Sequence, residues 1–184
     1  MEHIAHIPEY GVVVCKACEH AVLPSHMNAH FQAARPHRFT REARDQVMAA
    51  TSRMEGLVAD EAALQEVGIQ FPPDTAQPIA ELGEARRGGL RCTFRCREGR
   101  PCAYVSSKAK KMQEHCRQVH SWENKQRRGR PRRDGRDEQQ EVPWRTGVTY
   151  QRFFKQGPKS GYFEVGRGMG EEQAREGDVA QAST

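Results

Sequence analysis

Two cysteine-bearing stretches, each followed by a pair of histidines, constrain this chain more than any apolar pattern in it. The first runs Cys15-x2-Cys18, then eleven residues to His30 and six more to His37. The second runs Cys92-x3-Cys96 with a further Cys102, then twelve residues to His115 and four more to His120. Thiolate sulfur and imidazole nitrogen in sets of four suit a tetrahedral zinc ion. The remaining apolar material is thin, with 36% hydrophobic and 29% charged residues and a mean hydropathy of −0.86. One large core is not expected from this. Metal ligation can stand in for it, because the binding energy is also folding energy. Two Zn2+ ions are expected, one per stretch.

The net charge of +5 and pI near 9.0 favour acidic partners, nucleic acid first. No apolar run is long enough for a membrane span, so no membrane partner is expected. Residues Met1 to Tyr10 lack the basic and apolar blocks of a signal peptide. Six cysteines could make disulfides in a secreted protein, but with histidines at ligand spacing they read as reduced metal ligands.

The fold class expected is small α+β, zinc-stabilised modules: two divergent C2H2-type ββα fingers joined by a helical linker. The boundaries read as a flexible start over 1–7, the first finger over 8–38 and the helical linker over 39–88. The second finger covers 89–122, a basic and acidic linker 123–142, an aromatic closing motif 143–165 and a disordered tail 166–184. In the first finger Tyr10-Gly11-Val12-Val13-Val14 and His20-Ala21-Val22-Leu23 read as strands and Ser25 as a helix cap. Helix is expected over 40–66, capped by Thr40 and divided at Gly56, and Gly88-Gly89 reads as a hinge. The second helix is expected to start at Ser106 or Ser107 and reach about His120. Met27 and Met112, each three residues before a histidine, are expected to plug the two small cores. Trp144, Tyr150, Phe153, Phe154, Tyr162 and Phe163 could stack on bases, but read better as a small hairpin packed on the second finger.

The ligand sets leave alternatives. His26 rivals His37 in the first, because His26 and His30 are i,i+4 neighbours on a helix. A ligand at His26 leaves little chain after Cys18 for a strand and turn, so His30 and His37 are preferred. In the second, Cys92, Cys96 and Cys102 compete for two places. Cys116, beside His115, is expected to point away from the ligands. Four protein ligands leave no open position for a reacting water, so an enzyme is not expected.

Base-reading positions of such a helix would be Val22, His26 and Ala29 in the first unit, which offer no Arg, Asn or Gln to base edges. The second offers Ser107, Lys111 and Glu114, with Lys108 and Lys110 alongside. The nucleic-acid contact is therefore expected at Lys108, Lys110 and Lys111. It is expected also in the basic run through Arg127, Arg128, Arg130, Arg132 and Arg133. Arg128-Gly129-Arg130-Pro131 resembles an AT-hook core, which lies in a narrow A·T minor groove. As a plain solvated linker the same run would serve as a nuclear localisation signal.

Three motifs in order resemble the fungal OrsD-type domain, named for protein D of the orsellinic acid biosynthesis cluster. The opening is Pro8-Glu9-Tyr10-Gly11-Val12-Val13-Val14-Cys15-Lys16-Ala17-Cys18 with Val22-Leu23-Pro24-Ser25-His26 and Ala29-His30. The second is Leu90-Arg91-Cys92, Cys102-Ala103-Tyr104-Val105 and Met112 through Trp122. The third is Pro143-Trp144-Arg145-Thr146-Gly147-Val148, Gln151-Arg152-Phe153-Phe154 and Phe163-Glu164-Val165, so the resemblance spans about 8–165. It implies a zinc-binding protein with metal roles for Cys15, Cys18, His30, Cys102, His115 and His120. The chain departs from the family in the nine residues between Cys92 and Cys102, which look like an insertion, and in Tyr150, where the family often has Cys.

The function expected from all this is that of a nuclear zinc protein that binds nucleic acid. The alternatives are a protein-interaction adaptor and a remnant of a mobile-element or helicase-associated protein.

Overall fold

In the computed structural model the described residues are 2–33, 37, 39–96, 99–124, 142–157 and 159–167. The basic run through Arg127, Arg128, Arg130, Arg132 and Arg133 lies outside them, as does the tail beyond 167.

The first half is built on a three-stranded antiparallel sheet. Strands β1 (Ile4–Ile7), β2 (Val12–Cys15) and β3 (His20–Val22) follow in order, with Val13 facing His6 on one side and Val22 on the other. Side chains alternate across a strand, and in β2 both faces are buried. Val12 and Val14 enter one cluster with Ala21 and Leu23, while Val13 and Cys15 enter another with Met27 and Phe31. The β1–β2 turn requires Gly11. Its φ is +62°, and a Cβ there would stand 2.7 Å from the carbonyl oxygen of Gly56.

Pro24 opens a 3-10 turn over Pro24–His26, and helix α1 (Met27–Gln32) continues from it. Met27 and Phe31, four apart on one face, are fully buried. Helix α2 (Arg41–Thr51) starts where Thr40 Oγ1 accepts from the Ala43 N–H, and helix α3 (Glu61–Val67) where Asp60 accepts from Ala63. The helix expected over 40–66 is thus two helices with a longer break than one glycine makes. The segment between them is drawn to the β1–β2 turn, with Val58 N–H donating to Gly11 and Ser25 N–H to Ala59.

The second half is a four-stranded antiparallel sheet in the order β5-β4-β6-β7. It is formed by β4 (Arg86–Cys92), β5 (Val105–Ser106), β6 (Trp144–Gln151) and β7 (Phe163–Glu164). Helix α4 (Ala109–His120) follows β5 and buries Met112 and Cys116 on one face. It begins after Lys108, later than the serines suggested, because Ser106 lies in β5 and its hydroxyl bonds Lys108. Gly88 and Gly89 are not a hinge. They sit inside β4, where the register with β6 shifts, and a Cβ on Gly89 would be 2.5 Å from the Tyr150 ring.

The aromatic closing motif is divided between the two halves. Trp144 meets Trp122 edge-on at 5.3 Å and β6 pairs with β4, so its start belongs to the second unit. Phe153, Phe154, Phe163 and Val165 instead pack with Val12, Val14, Ala21, Leu23, Leu64 and Leu82. Of the hairpin expected on the second unit, Phe153, Phe154 and Phe163 therefore fill the largest core under the first sheet, while Tyr150 and Tyr162 stay with Val148 of the second. Buried Gln151 ties the same seam. Its Oε1 accepts from Ile79 N–H, and its Nε2 donates to the carbonyls of Ile79 and Gly83. Buried Glu164 accepts from Arg145 at 2.7 Å and Arg91 at 3.2 Å, so its charge is paired from two strands.

Candidate metal centres

Local backbone geometry sets the first cluster. Cys15 ends β2, and the turn that follows closes with Glu19 N–H on the Cys15 carbonyl at 2.8 Å, which brings Cys18 back beside it. Glu19 takes a positive φ of 56° to make that reversal. His30 comes from α1, and His37 returns after it, almost fully buried against Phe31 and Phe39. One ligand atom from each of Cys15, Cys18, His30 and His37 lies within 4.8 Å of the other three. His26 is exposed at the end of the 3-10 turn and is not in the set.

Two sulfur–nitrogen distances match the edge of a coordination tetrahedron. Cys15 Sγ stands 3.5 Å from His37 Nε2, and Cys18 Sγ 3.6 Å from His30 Nε2. A zinc tetrahedron with Zn–S of about 2.3 Å and Zn–N of about 2.0 Å has a sulfur–nitrogen edge of about 3.5 Å. The Cys18 thiol hydrogen-bonds the Cys15 sulfur, and His30 adds to it. Together they pull Cys15 down to about 4 against the opposing effect of burial. Cys18, which holds the proton of that pair, is pushed up correspondingly. Burial drives the His37 imidazole below its ordinary value, toward the neutral form that ligates metal.

In the second cluster Cys92 ends β4, Cys102 precedes β5, and His115 and His120 lie on α4. Their ligand atoms again fall within 4.8 Å of one another, with Cys102 Sγ 3.3 Å from His115 Nε2. His120 Nε2 is buried without a hydrogen-bond partner among the described residues. A buried nitrogen in that state is costly unless something takes its lone pair. Both donor sets therefore fit a tetrahedral ion. Tyr104 stacks on His115 with centroids 3.9 Å apart and Phe94 on His120 at 4.6 Å, which fixes both rings. Burial raises the thiols of Cys92 and Cys102 and lowers His115, whose neighbour His120 lowers it further.

The three-way choice among cysteines is resolved by a small loop. Arg95 and Pro101 form an antiparallel bridge, Cys102 N–H donates to Phe94 and Cys92 N–H to Tyr104. The described residues 93–96 and 99–101 thus leave and return side by side. Cys96 sits at the exposed end, where its N–H donates to Arg100 and its carbonyl accepts from Gly99. The loop carries it out of the ligand set that the sequence left open to it. Cys116 is fully buried beside Met112, outside the set, and burial raises its thiol.

Lys108, Lys110 and Lys111 are exposed around the start of α4. Ser107 and Glu114 are exposed as well, whereas Val22 of the first unit is buried in β3. Phe94 and Tyr104 orient the second histidine pair; Tyr104 figured in the sequence only as part of a motif, and Phe94 not at all. Their only signal was an aromatic two residues after each of Cys92 and Cys102.

The family model described as "OrsD: Orsellinic acid/F9775 biosynthesis cluster protein D" matches residues 2–121. That span includes both clusters and stops before β6 and β7, which carry the third of the motifs that suggested the resemblance. No curated protein and no solved structure matches the chain.

Proposed function

The chain belongs to the OrsD family, and from that premise we propose that it is a nuclear zinc protein that binds nucleic acid through its second unit and catalyses nothing. The observation that supports this most is the start of α4. Three exposed lysines, Lys108, Lys110 and Lys111, surround a helix N-terminus with no acidic residue in its first turn. Cations there oppose the helix dipole, so a phosphate gains both from the lysines and from the free backbone N–H groups. The metal in each cluster is Zn2+ in a C2H2-type arrangement. Thiolate and imidazole donors favour it, and a filled four-ligand shell serves structure rather than hydrolysis.

The first unit acts as scaffold. Two of the three positions from which its helix would read bases are Val22 and Ala29, and Val22 is buried. The basic run Arg127 to Arg133 supplies further phosphate contacts and nuclear import.

Fluorescence anisotropy on a labelled duplex across a salt series tests this. Changing Lys108, Lys110 and Lys111 together to Glu is expected to weaken binding and to flatten the log–log salt slope by about three, one per lost phosphate contact. Affinity and slope equal to those of the unchanged protein would overturn the assignment. An adaptor, the alternative reading, would retain an apolar partner through the same salt series.

A further inference from the structure

A cavity of about 440 Å³ opens between α1, α3 and the segment that follows β6. Its size falls within the range of small-molecule sites, roughly 300 to 1,000 Å³. Leu23, Leu64 and Phe154 form an apolar floor, and each is otherwise buried in the largest core. Ala29 opens the α1 wall by being small. One end is closed by Cys18 and His30, whose ligand atoms already belong to the first metal cluster.

The charges along the wall are unbalanced. Lys155 and Lys159 both line the cavity, with Glu61 the one carboxylate. Neither lysine makes an ion pair among the described residues, and Lys159 is partly buried. Lys155 is exposed at the cavity wall, and Lys159 is the less accessible of the two. An ammonium held partly out of water without a counterion is unfavourable, and an anion seated beside it removes that cost.

We propose that this cavity binds a small organic carboxylate with a flat apolar body. The body would lie on Leu23, Leu64 and Phe154, and the carboxylate would meet Lys155 and Lys159. The site is separate in sequence and in chemistry from the lysines of α4, so it stands whether or not the protein binds nucleic acid. It would make the first unit, otherwise a scaffold, responsive to a metabolite acid.

Titration of the zinc-loaded, 15N-labelled full chain with 2-naphthoate, followed by amide chemical shifts, tests it. Saturable, single-site shifts are expected at Leu23, Ala29, Leu64 and Phe154 to Gly157. The neutral 2-naphthamide should bind about tenfold more weakly, and so should naphthoate to the Lys155→Glu, Lys159→Glu double variant. Gln65→Trp, which places an indole on the cavity wall from exposed α3, should abolish the shifts while zinc content and the remaining spectrum stay unchanged. The proposal is overturned if millimolar naphthoate gives no saturable shifts, or if the shifts centre on Lys108 to Lys111. Equal binding of the neutral amide, or a Gln65→Trp protein that is folded and still binds, would overturn it as well.

Discussion

The backbone N–H of Ala21 donates to the carbonyl of Phe153 at 2.8 Å, across 132 residues of chain. Ala21 lies in the strand after the first cysteine pair, and Phe153 follows the last long strand of the second sheet. That single bond locates the seam between the two halves. Around it, Phe153 packs on Tyr10 at 5.2 Å and on Phe163 at 4.9 Å between ring centroids. The two metal clusters are thus held in one body by an apolar seam that neither ligand set requires.

Phe153→Ala should therefore be among the most damaging apolar substitutions. The ring is fully buried, and such truncations cost about 3 to 5 kcal/mol. Urea unfolding of the zinc-loaded variant is expected to show that loss, with both ions still bound in the native baseline. A change under about 1 kcal/mol would mean that the halves do not depend on the seam.

Native mass spectrometry separates ligands from bystanders. The unchanged chain is expected to carry two ions, and Cys102→Ala and His37→Ala one each. Cys96→Ala and His26→Ala should keep two, because both residues are exposed outside the clusters. Loss of an ion on Cys96→Ala would return that residue to the ligand set.

The clusters should differ in the protons they release on taking up zinc. In the second, Cys92 and Cys102 are both pushed above the ordinary thiol value, so at pH 7.5 both are protonated. In the first, Cys15 is already a thiolate, with its value near 4. His37 and His115 are lowered and carry no proton to give up at that pH. Because metal binds the deprotonated ligands, rising pH favours uptake and falling pH reverses it. Uptake should release about two protons at the second cluster and about one at the first, and affinity should fall more steeply with acid at the second. Calorimetry in buffers of different ionisation enthalpy measures this on His37→Ala and His120→Ala, each of which leaves one cluster intact. Equal release from the two variants would refute it.

Glu164→Gln tests the ion-paired seam of the second sheet. The carboxylate is buried and paired with Arg91 and Arg145, and the amide would leave Arg91, largely buried, without its anion. A cost of about 3 kcal/mol is expected, at the low end for a broken buried pair because Arg145 keeps contact with water. Thermal unfolding should show it, and Arg145→Ala should cost less. The opposite order would place the main pairing on Arg145.

That two Cys/His stretches could each hold a metal was visible in the sequence, because metal chemistry is local in its demands. Four residue types at short spacing suffice to state it, and Met27 and Met112 could be placed by counting back from a histidine. The choice among Cys92, Cys96 and Cys102 was not visible. It rests on the Arg95–Pro101 bridge, and neither residue carries a strong strand preference. The break in the helix expected over 40–66 is longer than a division at Gly56 alone, for a related reason. The apolar spacing continues past Thr51, but a backbone bond between Val58 and Gly11 outweighs it.

The sequence left the exact ligands open, but by itself it determined two Cys/His stretches able to hold a metal and the basic face at the start of α4. Each is written in residues close together along the chain. Tertiary structure alone decided that one strand, β2, feeds two cores. It also decided that Phe153, Phe154 and Phe163 cross to the first half, and that a lysine-edged cavity lies between α1, α3 and residues 154–157 with Lys159. Apolar burial carries no address. Phe153 would gain equally from any core that excluded water, and only the joint packing of both sheets selected this one.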